Sequence, residues 1–252
     1  LAALTQSQKT AVTPPPQPRQ VSWPYASFGA PGKVAERREI EDLGTTFVRF
    51  ANGVRLTVKP TAFRDDEVLV RVNVGDGMLG LPKDRQSPYW AANAIIEGGL
   101  KKISVEDMER VLAAKVYGAR LSLTDDSIAL TGATRTEDLP TQLQVLAAYL
   151  TEPAWRESAF LRIQAAGKTI HDQYESTDGG VIARDLQGII HGGDRRWTFP
   201  TREEIAQARF SDVESALMPQ LREGPVEVVI VGDVTIDQAI AQTAATLGGP
   251  PP

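Results

Sequence analysis

The 252-residue chain contains no cysteine. Disulfides, thiolate metal sites and a cysteine nucleophile are excluded. Such a composition fits any compartment, including an oxidising one such as a bacterial periplasm, where stray thiols are a liability. Histidine is nearly absent too, with His171 and His191 the only two. A zinc site usually takes about three protein ligands, at least two of them closely spaced. These histidines fall on different predicted helices. His171-Asp172 with Glu175 gathers ligand types on one helix, but a solvated polar face explains it equally well. No stretch approaches the ~18–20 apolar residues of a membrane span. Basic runs stop at dipeptides such as Arg37-Arg38 and Lys101-Lys102. With a net charge of −5, this argues against nucleic acid as a main partner. There is no G-x-S-x-G and no H-E-x-x-H. The first residues lack the basic-then-apolar order of a signal peptide and an initiator Met, and a piece of a longer chain is expected.

What is present reads as one folded unit behind a proline-rich arm. Residues 1–38 carry Pro14-Pro15-Pro16 and Pro18, which favour extended polyproline-type backbone. Trp23, Tyr25 and Phe28 either lie over a neighbouring surface or belong to a loose tail. Residues 39–252 are expected to form a single domain. Thr45–Phe50 and Val54–Lys59 flank the hairpin signal Ala51-Asn52-Gly53. Val68–Val74 alternates as a third strand. Leu121 and Leu123, then Ile128 and Leu130, alternate on either side of Asp125-Asp126, which is a turn before it is a carboxylate pair.

Helical stripes follow at Leu139–Leu150, Phe160–Tyr174 and Val181–Ile190. Ser104 with Asp107 reads as a helix cap, and Thr201…Glu204, Ser211…Glu214 and Thr235…Gln238 have capping-box spacing. Val226–Val231 is a late strand. Clustered strands joined by hairpins predict an α+β fold, with a largely antiparallel sheet of about five to six strands packed against helices.

The chain is organised around Ser87–Ser104. From Tyr89 to Ile96 nearly every residue is apolar, which predicts a helix buried on most sides and ended by Gly98-Gly99. Gly75–Gly80 matches G-x-G-x-x-G, but Leu81-Pro82-Lys83-Asp84 intervenes before any helix, so a Gly-rich connection is the better reading. Nothing assembles a nucleophile, a base and an oxyanion site.

These residues resemble a known family. Asn52-Gly53-Val54-Arg55-Leu56, a strand ending in Gly75, an apolar helix into Glu97-Gly98-Gly99-Leu100, the hairpin segment Ala119–Thr134 and Val229–Asp233 follow the domain pattern of the pitrilysin/insulinase zinc metallopeptidases. The resemblance spans Leu43 to Gly249. Active family domains carry H-x-x-E-H on the organising helix, where two histidines bind zinc and the glutamate activates water. If Lys101–Ser104 is set on the family's segment just after that helix, the motif falls on Trp90-Ala91-Ala92-Asn93-Ala94. Trp90, Asn93 and Ala94 would then be degenerate motif positions, and no histidine lies anywhere in Ser87–Ser104. The family's third ligand, a later glutamate, would fall near His171–Glu175.

The resemblance implies a metal-free first domain of the second half of a clam-shell peptidase. No cofactor is expected in this chain; zinc is expected in a partner domain, on the catalytic half of the same polypeptide or on a partner subunit, with peptide as substrate. The implied role is non-catalytic, helping to form the peptide-binding chamber. The alternative is a stand-alone peptide-binding or assembly protein derived from a peptidase. An enzyme acting through an unrecognised site is a third reading.

Overall fold

The alternating valines of Val68–Val74 predict a strand with one buried face, and every second residue from Val68 is buried. This strand is an interior strand of a seven-stranded sheet in a computed structural model that describes residues 21–83 and 87–249. The strands are β1 (Val34–Ile40), β2 (Thr45–Phe50), β3 (Arg55–Pro60), β4 (Val68–Val74), β5 (Arg120–Leu123), β6 (Ile128–Thr134) and β7 (Val226–Gly232), in the spatial order β1-β2-β3-β7-β4-β6-β5. All neighbours are antiparallel except β3 and β7.

The expected count of five to six strands is one short. The extra strand is β1, a Val34–Ile40 segment so polar that hydrophobic alternation cannot reveal it; all but Ile40 are exposed. It forms because Glu41–Leu43 makes a single tight turn, Gly44 adopts φ +59°, and β2 is brought back against it. The β2–β3 turn is the expected one, with Gly53 at φ +91°.

Eight helices complete the described residues: α1 (Ala94–Glu97), α2 (Val105–Val111), α3 (Leu139–Thr151), α4 (Glu157–Glu175), α5 (Asp178–Ile190), α6 (Arg202–Gln207), α7 (Phe210–Glu223) and α8 (Ile236–Ala244). Helix α3 covers β4 and β6, and α8 covers β2 and β3. The core between them includes Val48, Leu56, Val58, Leu130, Leu143, Leu146 and Ile230, none more than 1% exposed. Among the described residues, no helix covers the opposite face of the sheet, and Leu69 stands 48% exposed on it.

Local signals place the helices. Ser104 accepts from the Asp107 N–H at 3.1 Å. The Thr201–Glu204 and Thr235–Gln238 capping boxes form as expected. The Ser211…Glu214 box does not; α7 begins two residues earlier, and Asp212 accepts from the Arg209 N–H instead. Of the proline-rich arm, residues 1–20 lie outside the described residues. The part from Val21 onward packs on its own domain. Tyr25 is 3% exposed and its hydroxyl accepts from the Lys102 N–H at 3.2 Å. Trp23 Nε1 donates to Gln144 of α3 at 2.9 Å. Burial pushes the Tyr25 hydroxyl up to about 12.

Candidate functional site

The organising segment is not one helix. Pro88–Ala91 is a single 3-10 turn and α1 is a separate short α-helix. Both ends of the segment are constrained. Pro88 opens the first turn, and Gly99, at φ +70°, closes the second. The expectation of burial on most sides holds for Ala91, Ala92, Ala94 and Ile95. It fails for Trp90, which is only partly buried, and for Asn93, which is exposed. An interrupted helix turns these two side chains outward.

They turn into a cleft of about 480 Å³. Met78, Tyr89, Trp90 and Leu121 supply its apolar wall, and Asn93, Ser122, Asp125 and Gln187 its polar groups. The wall opposite belongs to Trp197, in the loop after α5. Behind Trp90 lies Phe160 of α4, with ring centroids 6.3 Å apart.

Trp197 is held on three sides. His191 stacks on it at 4.5 Å with an interplanar angle of 3°. The Arg196 guanidinium lies 4.8 Å from its ring centroid. Its Nε1–H donates to Asp125 Oδ1 at 3.2 Å. Arg196 in turn pairs with Asp194 at 2.8 Å and donates to the Leu79 carbonyl at 3.1 Å. The Arg196 guanidinium holds the Asp194 carboxyl at about 2, below the usual carboxylate range. The loop is thus strapped to the Gly77–Gly80 turn and to the β5–β6 turn. Periodicity could not reveal it, because the contacts join residues more than 70 positions apart.

The Gly75–Gly80 segment serves packing. A Cβ on Gly77, at φ +56°, would stand 2.3 Å from the Ser127 nitrogen. No dinucleotide arrangement follows, since Gly77–Gly80 is a short 3-10 turn.

Of the motif positions, Trp90 and Asn93 face the cleft while Ala94 is fully buried. An indole, an amide and a methyl group do not fit a zinc ion, which takes imidazole, thiolate or carboxylate. A different donor group exists on α4: ligand atoms of His171, Asp172 and Glu175 lie within 4.8 Å of one another. His171 is 7% exposed, and its Nδ1, 3.8 Å from Glu175 Oε1, has no hydrogen-bond partner. The donor chemistry suits a divalent cation. However, Arg202 pairs with Asp172 at 2.8 Å, and Arg184, bound to Asp185 at 2.7 Å, also reaches Glu175 at 3.4 Å, so two guanidinium groups already stand against this group. His191 is spent on Trp197 and lies apart from this group.

No family model matches the chain. It is 25% identical over 208 residues to the chloroplastic stromal processing peptidase of Pisum sativum, a match covering 81% of this chain and 16% of the relative. Its fold is similar to that of the periplasmic protease PqqL from Escherichia coli, with a TM-score of 0.78, 19% identity, and coverage of 99% of this chain and 28% of that one. It is also similar to pitrilysin, with a TM-score of 0.62, 15% identity, and coverage of 88% and 24%. The chain spans well under a third of each of these proteins.

Proposed function

We propose that this pitrilysin-like peptidase domain is a non-catalytic part of a larger zinc metalloendopeptidase. It helps to form the chamber that holds peptide, and it supports proteolysis by a separate, zinc-bearing domain. The observation that carries the reading is the chemistry at Trp90, Asn93 and Ala94. Where the family motif would supply two imidazoles and a carboxylate, these side chains line a cleft or fill a core. The short span of the chain relative to its larger relatives agrees with a role as one domain among several.

In this role the domain contributes surface and no reacting group. Tyr89, Trp90 and Trp197 give an aromatic cleft beside β5, and Asn93 and Ser122 put hydrogen-bonding groups at its mouth. Such a surface suits side chains of a peptide, with apolar area for affinity and a few polar groups for orientation. The zinc, its ligands and the water-activating carboxylate belong to the other domain.

The test is metal content and turnover together. The purified chain, dialysed, should hold far less than one zinc per chain by plasma mass spectrometry and leave a fluorogenic peptide intact. Turnover should appear on joining it with a half that bears H-x-x-E-H. One tightly held zinc with chelator-sensitive turnover by this chain alone would overturn the reading. Peptide binding with no gain of activity beside any such half would favour a stand-alone peptide-binding protein.

A further inference from the structure

The helix-free face of the sheet has a charge pattern opposite to that of the chain. Strand register places one residue from each strand in a single transverse row. Arg38 of β1 stands opposite Phe47, which stands opposite Thr57. Thr57 adjoins Val229, Val229 adjoins Arg71, Arg71 adjoins Thr131, and Thr131 adjoins Arg120 of the far edge strand. This row holds three arginines and no carboxylate. On one side lies an apolar row, where Leu69 stands between Val231 and Ala133, with Lys59 beyond Val231. On the other side the charges cancel in pairs. Arg49 pairs with Glu36 at 3.3 Å, and Arg55 pairs with Glu227. Asp126 reaches the rim beside Arg55 and Arg71.

Among the described residues, Arg38, Lys59, Arg71 and Arg120 form no ion pair. Arg38 lies over the Phe47 ring at 5.6 Å, and Arg71 donates to Asn73 Oδ1 at 2.7 Å. Arg71 and Arg120 flank a groove of about 660 Å³ whose floor includes Leu69, Val229 and Val231. The chain as a whole has a net charge of −5, so this face is a local reversal. Unpaired guanidinium groups beside an apolar floor recognise carboxylates while leaving area for side-chain packing.

We infer that the open face of the sheet, along the row Arg38–Arg71–Arg120, is a docking surface for an acidic polypeptide segment. At about 4.8 Å per strand, Arg71 and Arg120 are about 10 Å apart, the reach of about three extended residues. In a polyproline-type segment, with three residues per turn and about 3.1 Å per residue, carboxylates three residues apart lie on one face and would meet both. The inference rests on the proposed peptidase role only in taking a polypeptide as the occupant, and its test needs neither zinc nor turnover.

The probe is a fluorescein-labelled, Glu-rich peptide of about twelve residues, long enough to cross the sheet at about 3.3 Å per residue. The full 252-residue chain should bind it in low salt, by anisotropy, and release it progressively as salt rises. A Lys-rich peptide of equal length should not bind. R71E/R120E should weaken the acidic peptide about tenfold. The control R162E, on α4, should bind as the parent chain does. If charge reversal disturbs folding by circular dichroism, the neutral pair R71Q/R120Q provides the same comparison. Absent binding, unchanged affinity in the folded double variants, or equal loss in R162E would overturn the inference. Binding of inorganic polyphosphate as tight as that of the peptide would replace it with a general polyanion surface.

Discussion

Trp90 and Gly167 meet where the organising segment crosses α4: a Cβ on the glycine would stand 3.5 Å from Trp90 Cζ3. That contact, with Phe160, holds one side of the indole, and the cleft takes the other. A fully buried Trp lost to Ala costs about 3–5 kcal/mol. For this half-buried indole, Trp90→Ala should cost about 1.5–3 kcal/mol, because only the packed side is lost. Urea melts measure it, and an unchanged midpoint would show that Trp90 contributes nothing to the core.

Ala94 is 0% exposed, so a larger side chain there must displace packed neighbours. The triple variant W90H/N93E/A94H, which writes the metal motif into this register, should lose about 1–3 kcal/mol through overpacking at position 94, in addition to the loss of indole packing at position 90. It should not hold stoichiometric zinc, since supporting groups around the ligands are lacking. Thermal melts with and without zinc are the check. A zinc-dependent rise in the midpoint, with one ion retained per chain, contradicts the expectation.

Asp138 is a fully buried carboxylate held by Lys115 at 2.8 Å and Arg135 at 2.6 Å, and it accepts from the Val116 N–H. Burial pushes its carboxyl up, but Lys115, the Val116 N–H and Arg135 outweigh this and bring it down from 3.8 to about 2. A folded-state value below the unfolded one means the native state binds fewer protons. The stabilisation is therefore present above the unfolded value, 3.8, and is lost as pH falls through about 2. Asp138→Asn should cost about 3 kcal/mol at pH 7 by leaving cations without their counter-charge. The gap between parent and variant should narrow from pH 4 towards pH 2 in urea melts. A gap that stays constant across that range would contradict this account.

The strap over the cleft depends on the Trp197–Asp125 hydrogen bond and the His191 stack. Trp197→Phe keeps a ring and loses the donor; Trp197→Ala loses both. Limited proteolysis should cut near Gly192-Gly193 fastest in the Ala variant and at an intermediate rate in the Phe variant. Equal rates in all three chains would mean that the loop is held elsewhere.

Local chemistry was legible in the sequence wherever a short-range rule sufficed. Alternating valines specified β4, Asn52-Gly53 the β2–β3 turn, and Thr201 and Thr235 two helix starts. The stripes of α3, α4 and α5 followed from helical periodicity, which depends only on residues three and four apart. The family pattern was legible for the same reason, as an order of such elements. Tertiary structure decided three things that local rules do not encode. It recruited the polar segment Val34–Ile40 as a strand, through backbone pairing that leaves no hydrophobic signature. It split Tyr89–Ile96 into a 3-10 turn and a short α-helix, a break that no residue inside the segment marks, since Pro88 sits at the first position, where a helix tolerates it. And it aligned Arg38, Arg71 and Arg120 across the sheet, since strand order and register are properties of pairing between segments far apart in the chain.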